Sequence, residues 1–149
     1  MKLVDANLLV YSVNESAPQH EPARKWLEET LAGDETVGFA WIVLIGFLRL
    51  TTRAPIFPKP LPTGKVLDLM ELWLDQPCAT IVHPGERHFE ILRKLLLPLG
   101  TAGNMTTDAH LAAIAIEHGA EVCSTDADFG RFADVRWRNP LAGPKGKHR

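Results

Sequence analysis

The chain has 149 residues, 46% of them hydrophobic, and a mean hydropathy of −0.04, which suits a single soluble domain. No apolar run approaches the roughly 18 residues of a membrane span, and a net charge of −2 excludes a protein that coats nucleic acid indiscriminately. The two cysteines, Cys78 and Cys123, have neither the number of a disulfide framework nor a metal-ligand spacing, and read as small core hydrophobes of a reducing cytoplasm.

Charge is unevenly spread. Residues 1–36 carry seven acids and three bases, whereas residues 131–149 carry six bases (Arg131, Arg136, Arg138, Lys145, Lys147, Arg149) and one acid, Asp134. Such a basic end either contacts phosphates locally or is a solvated tail.

From the N-terminus, KLVD at residues 2–5 predicts a strand that turns helical by NLLVY. Asp5 and Asn7 interrupt this apolar start and no A-x-A-like site follows, so no signal peptide is expected. Ala23, Trp26, Leu27 and Leu31 recur at helical spacing over residues 19–32, and Gly33 stops that helix. TVGFA at 36–40 predicts a short strand. WIVLIGFLRLTTR at 41–53 predicts an apolar helix with Trp41, Leu44, Ile45 and Leu48 on its buried face and Gly46 in its interior, where glycine costs roughly 1 kcal/mol relative to alanine. IFPKPLP is loop. Val66, Leu69, Met70 and Trp73 define a helix over 63–75, ATIVH a strand, and ERHFEILRKLLLPL an amphipathic helix closed by Pro98 and Gly100. Residues 104–118 form the clearest helix, with Asn104 as N-cap and Gly119 past its end. EVCST is a strand, DADFGRF a turn or irregular helix, and VRW a last strand. Alternating strands and helices predict an α/β sandwich on a mainly parallel sheet, with one domain over 1–142 and a disordered basic tail over 143–149.

Four acids stand where such a fold places a site. Asp5 follows the apolar Leu3–Val4, and Asp126 and Asp128 follow EVCST; sites in open α/β sheets form outside the carboxyl ends of strands. Asp108 lies in the first turn of the 104–118 helix, at one end of a face of Leu111, Ala112 and Ala115, small enough for close approach to the sheet. Each acid alone has an ordinary reading: Asp5 as a turn former, Asp108 as a partner of the helix dipole, Asp126 and Asp128 as turn or cap residues. Ser124 and Thr125 read as capping hydroxyls, and His110 as a surface or partly buried histidine. Together the four carboxylates would repel one another and raise their own pKa values, which a divalent cation relieves. Oxygen ligands select Mg²⁺ or Mn²⁺, and no His/Cys pattern suggests zinc.

LVDANLLVYSV near the N-terminus, GNMTTDAHLAAIAIEHGAEVCSTDADFGRF near the C-terminus and the closing VRWRNPL resemble the PIN-domain toxins of VapBC toxin–antitoxin systems, over almost the whole chain. The resemblance implies a PIN-like three-layer α/β/α sandwich and a Mg²⁺-dependent endoribonuclease in which Mn²⁺ substitutes, inhibited by a small cognate VapB-type antitoxin. It also implies a homodimer and a larger toxin–antitoxin complex, in the cytoplasm and away from membranes. By position, Asp5 and Asp108 match the principal metal ligands, Asp126 a further ligand, and Asp128 an acid of the second sphere or of a second metal. Asn7 and Thr125 match polar residues lining such sites. Many PIN domains carry a glutamate where IGFLR places Gly46. Either this branch uses a small residue there, or Gly replaces an acid, or the alignment is off by a turn.

Metal-dependent RNA cleavage is thus the expected function, with Arg49, Arg131 and the other C-terminal bases contacting RNA phosphates. Two alternatives remain: an aspartate phosphohydrolase with Asp5 as nucleophile, in which Asn7 stands where a second acid is expected, and a degenerate PIN domain that binds antitoxin or RNA without cleaving.

Overall fold

The computed structural model describes residues 1–54 and 57–143, together with the backbone of residues 147–148. In chain order it contains β1 (Lys2–Val4), α1 (Ala6–Val13), α2 (His20–Leu31), β2 (Val37–Phe39), α3 (Trp41–Thr51), α4 (Thr63–Leu74), β3 (Ala79–Ile81), α5 (His88–Leu96), α6 (Thr106–His118), β4 (Glu121–Cys123), β5 (Arg136–Arg138) and β6 (Lys147–His148). Short 3₁₀ turns lie at Leu97–Leu99, Gly103–Met105 and Ala127–Arg131.

The sheet order is β3-β2-β1-β4-β5-β6, with β1 to β5 parallel and β6 antiparallel to β5. The layering follows from the handedness of crossovers. From β1 to β2 to β3 the chain steps in one direction through α1–α4. It then returns across β1 to β4 through α5 and α6. Right-handed connections place these two helix groups on opposite faces. In agreement, α1 packs on α2 and α3, α3 on α4, and α5 on α6. The central strands are therefore covered on both sides: Leu3, Val4, Val37, Phe39, Val122 and Cys123 are fully buried. On α6, the alanines at 109, 112, 113 and 115 are fully buried, so this helix lies close on the sheet. Among the described residues no helix is long and apolar enough to cross a membrane.

Every expected element forms, with ends shifted by a few residues. Gly119 ends α6 with φ 66°, in the left-handed conformation expected of it. Two expectations are corrected. Asn104 is not the N-cap of α6: it lies in the Gly103–Met105 turn, and the helix begins at Thr106, whose Oγ1 donates to Gly103 O at 2.9 Å. The buried face of α3 is also rotated. It comprises Val43, Leu44, Phe47 and Thr51, while Trp41 and Ile45 are 46% and 52% exposed and Leu48 is only partly buried. Residues 41–48 are apolar on nearly every side, so periodicity selects no face. The single residue Ala40 between β2 and α3 fixes the helix rotation, and Phe47 is anchored on the Trp73 ring of α4 at 5.0 Å between centroids. The expected IFPKPLP loop begins at Ile56, outside the described residues, and residues 57–62 carry neither helix nor strand. The expected tail lies largely outside them too.

Candidate active site

β1 and β4 are parallel neighbours, but the chain departs from β1 toward β2 and reaches β4 from the other direction. A crevice opens at the carboxyl ends of two strands whose connections diverge. Asp5 emerges from β1, residues 124–126 emerge from β4, and the N-terminus of α6 delivers Asp108 to the same edge.

Ser124 organises this edge. It is 0% exposed, and its Oγ donates to Asp5 Oδ2 at 2.7 Å while accepting from Asn7 Nδ2 at 3.0 Å and from the Asp126 N–H at 3.0 Å. Its carbonyl accepts from Trp137 Nε1 at 2.9 Å, which ties the site to the buried central residue of β5. Asn7 Oδ1 accepts from the Thr125 N–H at 3.3 Å, so Thr125 contributes through its backbone. Asp5 has two roles: Oδ1 accepts the Ala6 N–H at 2.8 Å and caps α1, while Oδ2 faces Ser124. Asp126 accepts the Asp128 N–H at 2.9 Å and caps the following 3₁₀ turn. The turn-former and cap readings of Asp5 and Asp126 therefore hold.

Asp108, Asp126 and Asp128 each present a ligand atom within 4.8 Å of the other two. Asp5 enters electrostatically, since its charge acts on Asp108 and it is itself acted on by the charge of Asp126. Burial raises the Asp5 carboxyl above its ordinary range despite the hydrogen bonds from Ser124 and Ala6, and the Asp126 charge adds to the rise. Asp108 is raised further, to about 7, by burial first, then by the charges of Asp126 and Asp5, a hydrogen bond to Asp126, and the charge of Asp128. The geometric group thus contains Asp128 where the expected ligand set had Asp5. Both Asp5 oxygens already accept hydrogen bonds: Oδ1 takes one, from the Ala6 N–H, and keeps a lone pair, whereas Oδ2 takes two, from Ser124 Oγ and from Asn7 Nδ2 at 3.4 Å.

The donor set suits a divalent cation. It is all carboxylate, crowded and partly buried, and without a cation it holds a proton near neutral pH that a metal would displace.

Beside the acids lies a cleft of about 460 Å³, lined by Asp5, Thr107, Asp108 and Leu111 on one side and by Trp41, Ile45, Gly46 and Arg49 of α3 on the other. Gly46 therefore borders the site, as the alignment of IGFLR implied. A Cβ placed there would meet only the Ala6 Cβ, at 3.9 Å, so the position has room for a side chain. Arg131 is exposed and its Nη1 lies 3.8 Å from Met105 Sδ, next to the start of α6. Arg136 and Arg138 are engaged locally, with Gly119 O and Glu121. His110 turns away from the acids and pairs with His88 of α5 at 2.9 Å. Its pKa is lowered by burial and by the His88 charge.

Sequence reasoning missed Ser124 as the centre of the site. The signal was available in its place immediately after β4, opposite the Asp5 position of a parallel neighbour. It also missed Trp41 as a residue of the cleft.

The class of this fold and site is that of the PIN domain, whose family model matches residues 2–135. Ribonuclease VapC37 of Mycobacterium tuberculosis is 47% identical over 142 residues, covering 95% of this chain and 99% of that protein. Ribonuclease VapC33 of the same species is 43% identical over 141 residues, covering 95% and 99%. Among solved structures, VapBC2 from Rickettsia felis, bound to a DNA fragment from their promoter, has the same fold with a TM-score of 0.68 at 18% identity, covering 93% of this chain and 97% of that one. The chain belongs to the PIN-domain family and, within it, to the VapC ribonucleases.

Proposed function

We propose that this protein is the toxin of a type II toxin–antitoxin pair, a Mg²⁺-dependent endoribonuclease of the cytoplasm in which Mn²⁺ substitutes. The observation that carries this reading is the group of Asp108, Asp126 and Asp128 at the carboxyl edge of a parallel sheet, where burial and then the neighbouring charges lift the Asp108 pKa to about 7. The names of its relatives support the same chemistry.

Asp108, Asp126 and Asp128 would hold the cation, with Asp5 completing the negative surroundings. When bound, the cation polarises the scissile phosphate and lowers the pKa of a water. The chain's own residues do the rest. Ser124 holds the Asp5 carboxylate and the Asp126 backbone in one arrangement, so the acids need no reorganisation when substrate arrives. Asp128, the exposed member, orients the water that attacks phosphorus. Water adds to phosphorus and the bond to one ribose oxygen breaks, leaving a phosphate on one fragment and a hydroxyl on the other. Arg49, across the cleft, binds a phosphate of the same strand.

A VapB-type antitoxin is the cognate partner, and the toxin works as a homodimer within a larger complex. The test is cleavage of total RNA with Mg²⁺ or Mn²⁺, comparing the wild type with Asp108→Asn and Asp126→Asn. Equal cleavage by all three proteins would remove the proposed site. A stable acyl-phosphate on Asp5 would instead favour the phosphohydrolase.

A further inference from the structure

A second, smaller pocket of about 280 Å³ has a lining that includes Lys2, Trp26, Cys123, Arg138, Asn139 and Pro140. The register pairs Lys2 with Glu121 and Cys123 with Arg138, so these side chains share one face of the sheet. Ser124, the residue after Cys123, points to the other face and holds Asp5. The pocket therefore lies on the α2 side of β4 and β5, against Trp26, and shares no residue with the acidic cleft.

No carboxylate lines this pocket, while Lys2, Arg138 and Asn139 all bring donors to it. Glu35 takes Lys2 Nζ at 2.6 Å and the N-terminal ammonium at 3.2 Å, and Glu121 lies 3.5 Å from Arg138 Nε. Two carboxylates thus stand against three cations, and neither carboxylate belongs to the lining. The Arg138 side chain makes no hydrogen bond among the described residues, and Asn139 accepts the Leu141 N–H on Oδ1 while Nδ2 has no partner there. Burial pushes the Cys123 thiol up to about 12, with Glu121 and Glu35 adding to the rise and Lys2 and Arg138 opposing it, so the floor is a neutral thiol ringed by these charges. A surplus of positive charge, a guanidinium with open donors and a free amide match the oxygens of a phosphate. The half-buried Trp26 indole adds a flat apolar wall on which a ring packs. A volume of about 280 Å³ is at the small end of ligand sites, which suits one nucleotide and not a duplex.

We propose that this pocket binds a phosphate monoester of nucleotide size, with its phosphate on Lys2, Arg138 and Asn139 and its ring on Trp26. A free mononucleotide and the 5′-phosphorylated end of an RNA strand share this chemistry. The site stands apart from the metal and from the ribonuclease reading, because the two pockets have no residue in common.

Binding to the full chain is measured by calorimetry without divalent ions, a condition in which the crowded acids repel phosphates and no RNA is cut. The probes are adenosine monophosphate, adenosine, inorganic phosphate, and a short RNA strand carrying either a 5′-phosphate or a 5′-hydroxyl. Adenosine monophosphate or the phosphorylated strand binds, and whichever of them binds names the source. Adenosine and the hydroxyl strand bind about tenfold more weakly or less, and Arg138→Gln weakens the phosphorylated probe by about tenfold. Glu121→Gln frees the guanidinium and tightens binding, which a merely structural Arg138 would not produce. Trp26→Leu lowers affinity for the monoester and leaves inorganic phosphate unchanged. Melting curves identify variants that fold, and Asn139→Ala replaces Arg138→Gln if that chain does not. A wild type that binds neither monoester overturns the proposal. So does equal binding of phosphorylated and unphosphorylated probes, or an affinity that Arg138→Gln and Asn139→Ala leave unchanged. An unchanged monoester affinity of Trp26→Leu overturns the placement of the ring. None of these results touches the ribonuclease reading, which stands or falls on cleavage with Mg²⁺ or Mn²⁺.

Discussion

The two walls of the cleft are built in opposite ways. The wall formed by β1, β4 and α6 carries charge that is partly buried, close together and cross-linked by Ser124 and Asn7. The α3 wall carries no carboxylate; it is apolar and exposed, ends in Arg49, and has a vacant position at Gly46. The first wall is expensive to form, because like charges meet in a partly dry place. Its position at the edge of a tightly packed sheet is what makes it possible. The second is inexpensive to change, since its exposed side chains contribute little to the core. Fixed, crowded charge on one side and exposed apolar surface on the other is the division between the walls.

Breaking the charged wall should have the largest effect. Asp108→Asn removes one of three clustered carboxylates and should lower metal-dependent RNA cleavage by about a thousandfold, while the metal-free protein melts at a higher temperature because repulsion is relieved. Thermal melts with and without Mg²⁺ check both halves. A variant that cleaves normally would show that the charged wall is not the reacting one.

Ser124→Ala should come next. It leaves the Asp126 N–H without its partner and Asp5 Oδ2 with only the longer bond from Asn7 Nδ2 at 3.4 Å, at a cost of about 1–3 kcal/mol by chemical denaturation, together with weaker metal-induced stabilisation. An unperturbed metal response would reduce Ser124 to a structural role.

The charged wall also predicts a pH dependence. Asp108 has a folded pKa of about 7, above its ordinary value of 3.8, so the folded, metal-free protein holds more protons than the unfolded chain between those values. That contribution to stability is fully present below pH 3.8 and is lost as pH rises through about 7. Asp5, also raised, acts with the same sign. The difference in melting temperature between wild type and Asp108→Asn, followed from pH 4 to 8 without divalent ions, should widen with pH. Divalent ions should stabilise the wild type more at pH 8 than at pH 5. A flat difference would contradict the crowding inferred for Asp108.

Changes on the α3 wall should be smallest. Gly46→Ala adds a methyl that meets only Ala6 and should stabilise α3 by about 0.5–1 kcal/mol. Gly46→Glu also fits and puts a negative charge on the wall that has no carboxylate. Compared with Gly46→Gln, it should be less stable without metal and gain more from Mg²⁺. Equal behaviour of Glu and Gln would place that side chain out of reach of the acids.

Much of the site was legible before the structure because its residues are tied to chain order. Asp5 directly follows β1, Asp126 lies three residues past β4, and Asp108 opens a helix with an alanine-rich face. Strand ends and helix starts of a parallel α/β fold meet at one edge whatever the details. Ser124 was less legible, since a serine before TDAD looks like a cap until the register of Val4 with Cys123 sets it against Asp5. The same applied at Asn104, where a good capping residue lies two positions before the helix that actually forms.

The α3 helix marks the boundary. Its amino acids alone determine that residues 41–51 form an apolar helix with Gly46 in its interior. They do not determine which apolar residues enter the core, because nearly every one qualifies and burial energy is non-directional. The one-residue connection from β2 and the Phe47–Trp73 contact settle that choice, burying Val43 and Phe47 and leaving Trp41 and Ile45 facing the acids. Sequence thus determined the alternation of elements and the positions of the carboxylates. Tertiary packing decided which of them share oxygens within reach, and which wall faces them, because both depend on strand order and helix rotation that local periodicity does not encode.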